Sequence, residues 1–72
     1  MNLKNQSKRA GIILDGEMVV VDIYYDYVDE LIYINNILYD GKDVKSIVSE
    51  GQESELEMQL YRIHKQKERL KP

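Results

Sequence analysis

Two runs of β-forming residues separated only by Asp15-Gly16 constrain this chain more than any other feature. Both central residues of a two-residue type I′ hairpin need positive φ, and Asp-Gly supplies them at low steric cost. The pair therefore predicts a hairpin in which Leu14 faces Glu17, Ile13 faces Met18 and Ile12 faces Val19. Side chains alternate across a strand. Ile12, Leu14, Val19, Val21, Ile23, Tyr25 and Tyr27 then share one face, and Ile13, Met18, Val20, Asp22, Tyr24, Asp26 and Val28 share the other. The two aspartates mark the second face as the wetter one.

Asp29-Glu30 ends the second run, and residues 31–39 read as a third strand. Simple alternation buries Ile32, Ile34 and Leu38 and turns Leu31, Tyr33, Asn35, Ile37 and Tyr39 outward. Asn35-Asn36 breaks that alternation and suggests a bulge, which would shift the register of every later residue in the strand. After Asp40-Gly41, Val44, Ile47 and Val48 stand at helical spacing, with Asp43 placed to cap them. A short helix or turn over 44–49 is expected, with a fourth strand as the alternative.

Residues 52–70 carry the strongest helical pattern. Leu56, Leu60, Ile63 and Leu70 form one narrow seam, with Met58 and Tyr61 beside it. Acids gather at the start and bases at the end, which complements the helix dipole. Ser49 or Ser54 can cap the start, with Gln52 or Glu57 three residues on. Gly51 allows a chain reversal before it and Pro72 lies beyond it. The expected fold class is α+β: an antiparallel three-stranded meander (10–14, 17–28, 31–39) with a long helix packed on one face. Residues 1–9 lack a core pattern and are expected to be a flexible arm before a single domain over 10–72.

Seventy-two residues bury only about 60% of the surface exposed on unfolding, so the core is thin. With no cysteine and one histidine, neither a disulfide nor a zinc site with the usual ligands can reinforce it within one chain. Self-association is the remaining route. The longest apolar stretch, Met18 to Val21, is strand-length, so no membrane contact is expected and a cytoplasmic location is.

The net charge of −3 is laid out in blocks. Lys4, Lys8 and Arg9 open the chain, and Arg62, Lys65, Lys67, Arg69 and Lys71 close it. Between them lie twelve carboxylates against Lys42 and Lys45. Such polarity can steer a partner.

No residue set points to catalysis. Asp22, Asp26, Asp29 and Glu30 match no metal-binding loop, and a solvated sheet face explains them better. His64 has no second histidine or cysteine and is expected at the surface or boundary. The serines lack a nucleophile-elbow context, and the four glycines stand singly, so they form no phosphate-cradling loop. No cofactor is called for. The six tyrosines are interleaved with aspartates, which would repel phosphate, so direct nucleic-acid binding is disfavoured. One helix covers one side of such a sheet. Val20, Tyr24, Tyr33, Ile37 and Tyr39 on the other side are therefore the expected surface for a protein partner or a second copy.

The stretches Val21-Asp-Ile-Tyr-Tyr-Asp-Tyr27 and Asp40-Gly-Lys-Asp-Val-Lys-Ser-Ile-Val-Ser-Glu50, followed by an acidic helix start, resemble small uncharacterised phage and prophage proteins of the SPbeta type in Bacillus. The resemblance implies a cytoplasmic accessory protein with no assigned activity. A non-enzymatic binding or self-associating module is the leading reading. The alternative is an acidic nucleic-acid mimic acting on a host DNA-processing or defence protein.

Overall fold

A computed structural model describes residues 2–70. β1 (Leu3–Leu14) and β2 (Glu17–Val28) form the expected hairpin, with Leu14 opposite Glu17, Ile13 opposite Met18 and Ile12 opposite Val19. Asp15 and Gly16 take φ of 51° and 78°, as a type I′ turn requires. Asp29-Glu30 makes a second two-residue turn, with φ of 52° and 64°, into β3 (Leu31–Tyr39). Asp40-Gly41 makes a third, with φ of 52° and 78°, into the two-residue β4 (Lys42–Asp43). The sheet is antiparallel in the order β1-β2-β3-β4.

Both readings of the 40–49 segment are partly realised. Asp40-Gly41 closes a hairpin, and a single 3-10 turn follows over Lys45–Ile47. The Asp43 carboxylate accepts from the Lys45 amide at 2.9 Å in an Asx turn that leads into it, but the N-cap position belongs to Val44, so the expected Asp43 cap is not formed. Val48 is buried and Val44 half-buried, while Ile47 is exposed.

The expected flexible arm at 1–9 is corrected from Leu3 onward, where the chain is already paired with β2. Without this stretch the second half of β2, from Asp22 on, would lack a partner on its β1 side, and ladder hydrogen bonds need no particular side chains. Leu3 faces Tyr27 and Gln6 faces Tyr25, so Lys4-Asn5 contains one extra residue, a bulge. Asn5 takes φ of 57°, which asparagine tolerates, and its amide donates to the Asp26 carboxylate at 2.8 Å.

α1 (Glu50–Leu70) covers one sheet face. Ser49 Oγ accepts from the Gln52 amide at 3.3 Å, so Ser49 is the cap. The Gln52 side chain bonds the main chain of Ile13 in both directions, each at 2.7 Å. That ties the helix start to β1, while Lys65 is ion-paired with Glu30 in the β2–β3 turn. The helix therefore crosses the sheet diagonally. Its seam residues Leu56 and Leu60 complete a core of Ile12, Val21, Ile23, Tyr25, Tyr27, Ile37 and Val48. The Leu70 side chain and Pro72, both part of the expected helix end, lie outside the described residues.

Candidate interaction surface and buried tyrosine–histidine network

Strand alternation fixes what the helix-free face presents. Ile13 faces Met18, Gly11 faces Val20, Arg9 faces Asp22 and Ser7 faces Tyr24. On the β3 side, Leu38 faces Asp22, Asn36 faces Tyr24, Tyr33 faces Asp26 and Leu31 faces Val28. Met18, Val20, Leu31 and Tyr33 are each at least half exposed, with Ile13 and Tyr24 somewhat less. They form an apolar surface on the side of the sheet away from α1. Its charges are locally balanced: Arg9 Nε lies 3.1 Å from Asp22 Oδ1, and Asp26 accepts the Asn5 amide.

Of the five residues expected on this surface, Val20, Tyr24 and Tyr33 lie there. Ile37 does not: it is fully buried opposite Ile23, under the helix. The cause is the bulge at Asn35. Tyr24 faces Asn36 while Tyr25 faces Ile34, so one extra β3 residue reverses the parity of everything after it. Ile37 moves into the core and Leu38 out of it. Tyr39, two residues beyond Ile37, shares the helix side by alternation but stays 41% exposed at the sheet's end.

His64 is corrected as well. It is a buried polar side chain, and it sits in a network. Its Nε2 shares a 2.7 Å hydrogen bond with the Tyr25 hydroxyl, and its ring stacks on Tyr27 at 4.6 Å between centroids and 12° between planes. The Tyr27 hydroxyl donates to Glu68 at 3.0 Å, and Lys65 sits 3.4 Å from Glu68. The signal was present in the sequence, because His64 continues the Leu56, Leu60 stride by another four residues. A histidine at that position reads as polar only until its partners on β2 are known.

Burial holds the His64 pKa below its ordinary 6.5, with nearby Lys67 adding to the effect and Glu68 opposing it. The Tyr27 hydroxyl bonded to Glu68, with Lys65 beside it, holds that carboxyl below the usual range. Burial raises the Tyr25 and Tyr27 phenols. The network is chemically closed. The phenols stay protonated, the imidazole neutral and the carboxylate charged at neutral pH, and the histidine's bonded nitrogen faces a phenol in place of an open cleft.

Elsewhere the concavities are shallow. One of about 580 Å3 is lined by Tyr61, Arg62, Lys65, Gln66, Glu68 and Arg69, all on α1. Among the described residues, no three His, Asp or Glu side chains are grouped to hold a metal ion, and no helix is long and apolar enough to cross a membrane. No family model, curated protein or solved structure shows significant similarity to this chain.

Proposed function

We propose that the chain is a non-enzymatic protein-interaction module whose helix-free sheet face binds a second copy of itself, in the accessory role that its resemblance to small phage and prophage proteins implies. The carrying observation is the placement of Ile13, Met18, Val20, Tyr24, Leu31 and Tyr33 on a face that no element among the described residues covers. Apolar patches above a few hundred Å2 characteristically mark interaction sites. The molecule measures 43 by 19 Å along its longer axes, about 800 Å2 in projection, so contact over most of the face would be needed to reach the roughly 800 Å2 per partner of a standard interface. A thin single core gains from burying that area. The acidic-mimic alternative finds less support on this face, because Asp22 is paired with Arg9 and apolar side chains dominate.

Val20→Asp and Tyr33→Asp are each expected to weaken self-association at least tenfold, read by size-exclusion chromatography with light scattering. Both side chains are largely exposed, so far-UV circular dichroism is expected to stay unchanged. Association equal to that of the unaltered chain in both variants overturns the proposal.

A further inference from the structure

The free edge of β1 is a second surface, distinct from the open face. In a two-residue hairpin the pair flanking the turn, here Leu14 and Glu17, exchanges both main-chain hydrogen bonds, and bonded and non-bonded pairs then alternate. Ile13, Gly11, Arg9 and Ser7 therefore turn their N–H and C=O away from β2, at the side where the sheet ends. Gln52 confirms the direction at Ile13, where its carboxamide accepts from the N–H and donates to the C=O, as a neighbouring strand would. Ser7, Arg9 and Gly11 are exposed and continue the same row.

We propose that this row accepts an extended segment of another protein as an added strand, and that the segment carries two adjacent carboxylates. The main-chain groups of Ser7, Arg9 and Gly11 supply the pairing that strand addition uses. The side chains supply the selection. β1 carries Lys4, Lys8 and Arg9 and no acid. Lys8 and Arg9 project from opposite sheet faces, so the residues opposite them on an added strand are neighbours in sequence. Arg9 uses one of its five donors on Asp22, and its side chain is still 76% exposed. At Gly11 the Met18 sulfur lies 3.1 Å from where a Cβ would sit, so an apolar residue opposite Gly11, two positions from the acid, meets that thioether. A second copy of β1 is the poorer occupant, because two-fold antiparallel pairing over Ser7, Arg9 and Gly11 centres on Arg9 and sets it opposite its own copy, and like charges directly opposite repel.

The test uses a capped eight-residue peptide of alternating valine and threonine with two central glutamates, beside the same peptide with two central lysines. Hydrogen exchange is followed by NMR on the full chain. The expected result is that the glutamate peptide slows exchange of the Ser7, Arg9 and Gly11 amides, that the lysine peptide does not, and that Lys8→Glu weakens binding at least tenfold. Ser7→Pro removes one outward donor without touching the β1–β2 ladder or any charge, and is expected to abolish binding while the fold persists, since edge strands admit proline. Equal protection by both peptides, shifts confined to the open face, or an undiminished affinity in Lys8→Glu overturns the proposal. So does protection of the same amides by raising the protein concentration alone, which would make β1 a homodimer seam.

Discussion

Ile37→Ala is expected to destabilise the fold by about 2–5 kcal/mol, the usual range for truncating a large aliphatic side chain in a core. A core of this size rarely supplies more than roughly 3–5 kcal/mol in total, so much of the population should be unfolded at room temperature. The size of the effect follows from the complete burial of Ile37 between Ile23 and the helix, in a core with few side chains to share the loss. Tyr33→Ala, four residues earlier on the same strand, is expected to change stability by no more than about 0.5 kcal/mol at concentrations where the chain is monomeric. Urea denaturation of the two variants checks both. If the two were to lose stability equally, the bulge at Asn35 would not be where the register places it, because without that extra residue Ile37 and Tyr33 would share a face.

The second large effect concerns the network around His64. Tyr25→Phe leaves the buried histidine nitrogen without its partner and is expected to cost about 1–3 kcal/mol. Acid should act on the same place. The His64 pKa is lower in the folded chain than its ordinary 6.5, so the unfolded chain takes up the proton first. Stability from this residue is fully present above about pH 6.5 and is lost as pH falls from there through the lower folded value. The groups facing His64 are Tyr25 and Tyr27 from β2 and Lys67 and Glu68 from its own helix. Glu68, also lowered, loses its contribution only at more acidic pH, as pH falls through its own folded value, which lies below 4.5. His64→Leu extends the Leu56, Leu60 seam and should remove the first limb of acid sensitivity while sparing the second. Thermal melts from about pH 3 to pH 8 read the difference. An unaltered pH profile in His64→Leu would mean that the histidine does not carry it.

What could be read from the sequence tracks how local the determining interaction is. The Asp15-Gly16 turn fixes its own backbone conformation, and the whole β1–β2 register follows from it, so the inward set from Ile12 to Tyr27 was legible in full. The helix was legible from its seam, although it begins at Glu50, two residues before the expected start. The Leu3–Arg9 stretch was not, because an edge strand held by main-chain bonds to β2 needs no apolar alternation of its own. Asn35-Asn36 suggested a bulge without requiring one, and whether it forms decides whether Ile37 and Tyr39 belong to the open face. His64 failed for a related reason. Its position on the helix was readable, but the phenols that make its burial tolerable come from a strand 37 and 39 residues away in sequence. Of the five residues expected on the open face, the three set by the first hairpin and the early half of β3, Val20, Tyr24 and Tyr33, lie on it.

The open face and the β1 edge make separate demands. Asp substitutions at Val20 or Tyr33 change the face and leave the outward main-chain groups of Ser7, Arg9 and Gly11 in place, whereas Ser7→Pro removes one of those groups and alters the face only at Ser7, at its rim.

Sedimentation velocity of the unaltered chain, over a wide range of concentration and in both dilute and concentrated salt, tests the central claim most directly. Self-association through an apolar sheet face predicts a shift from 8.5 kDa to twice that mass as concentration rises, and its persistence at high salt, where exposed charge pairs are screened. A mass of 8.5 kDa at every concentration, or a dimer that dissolves in salt, contradicts it.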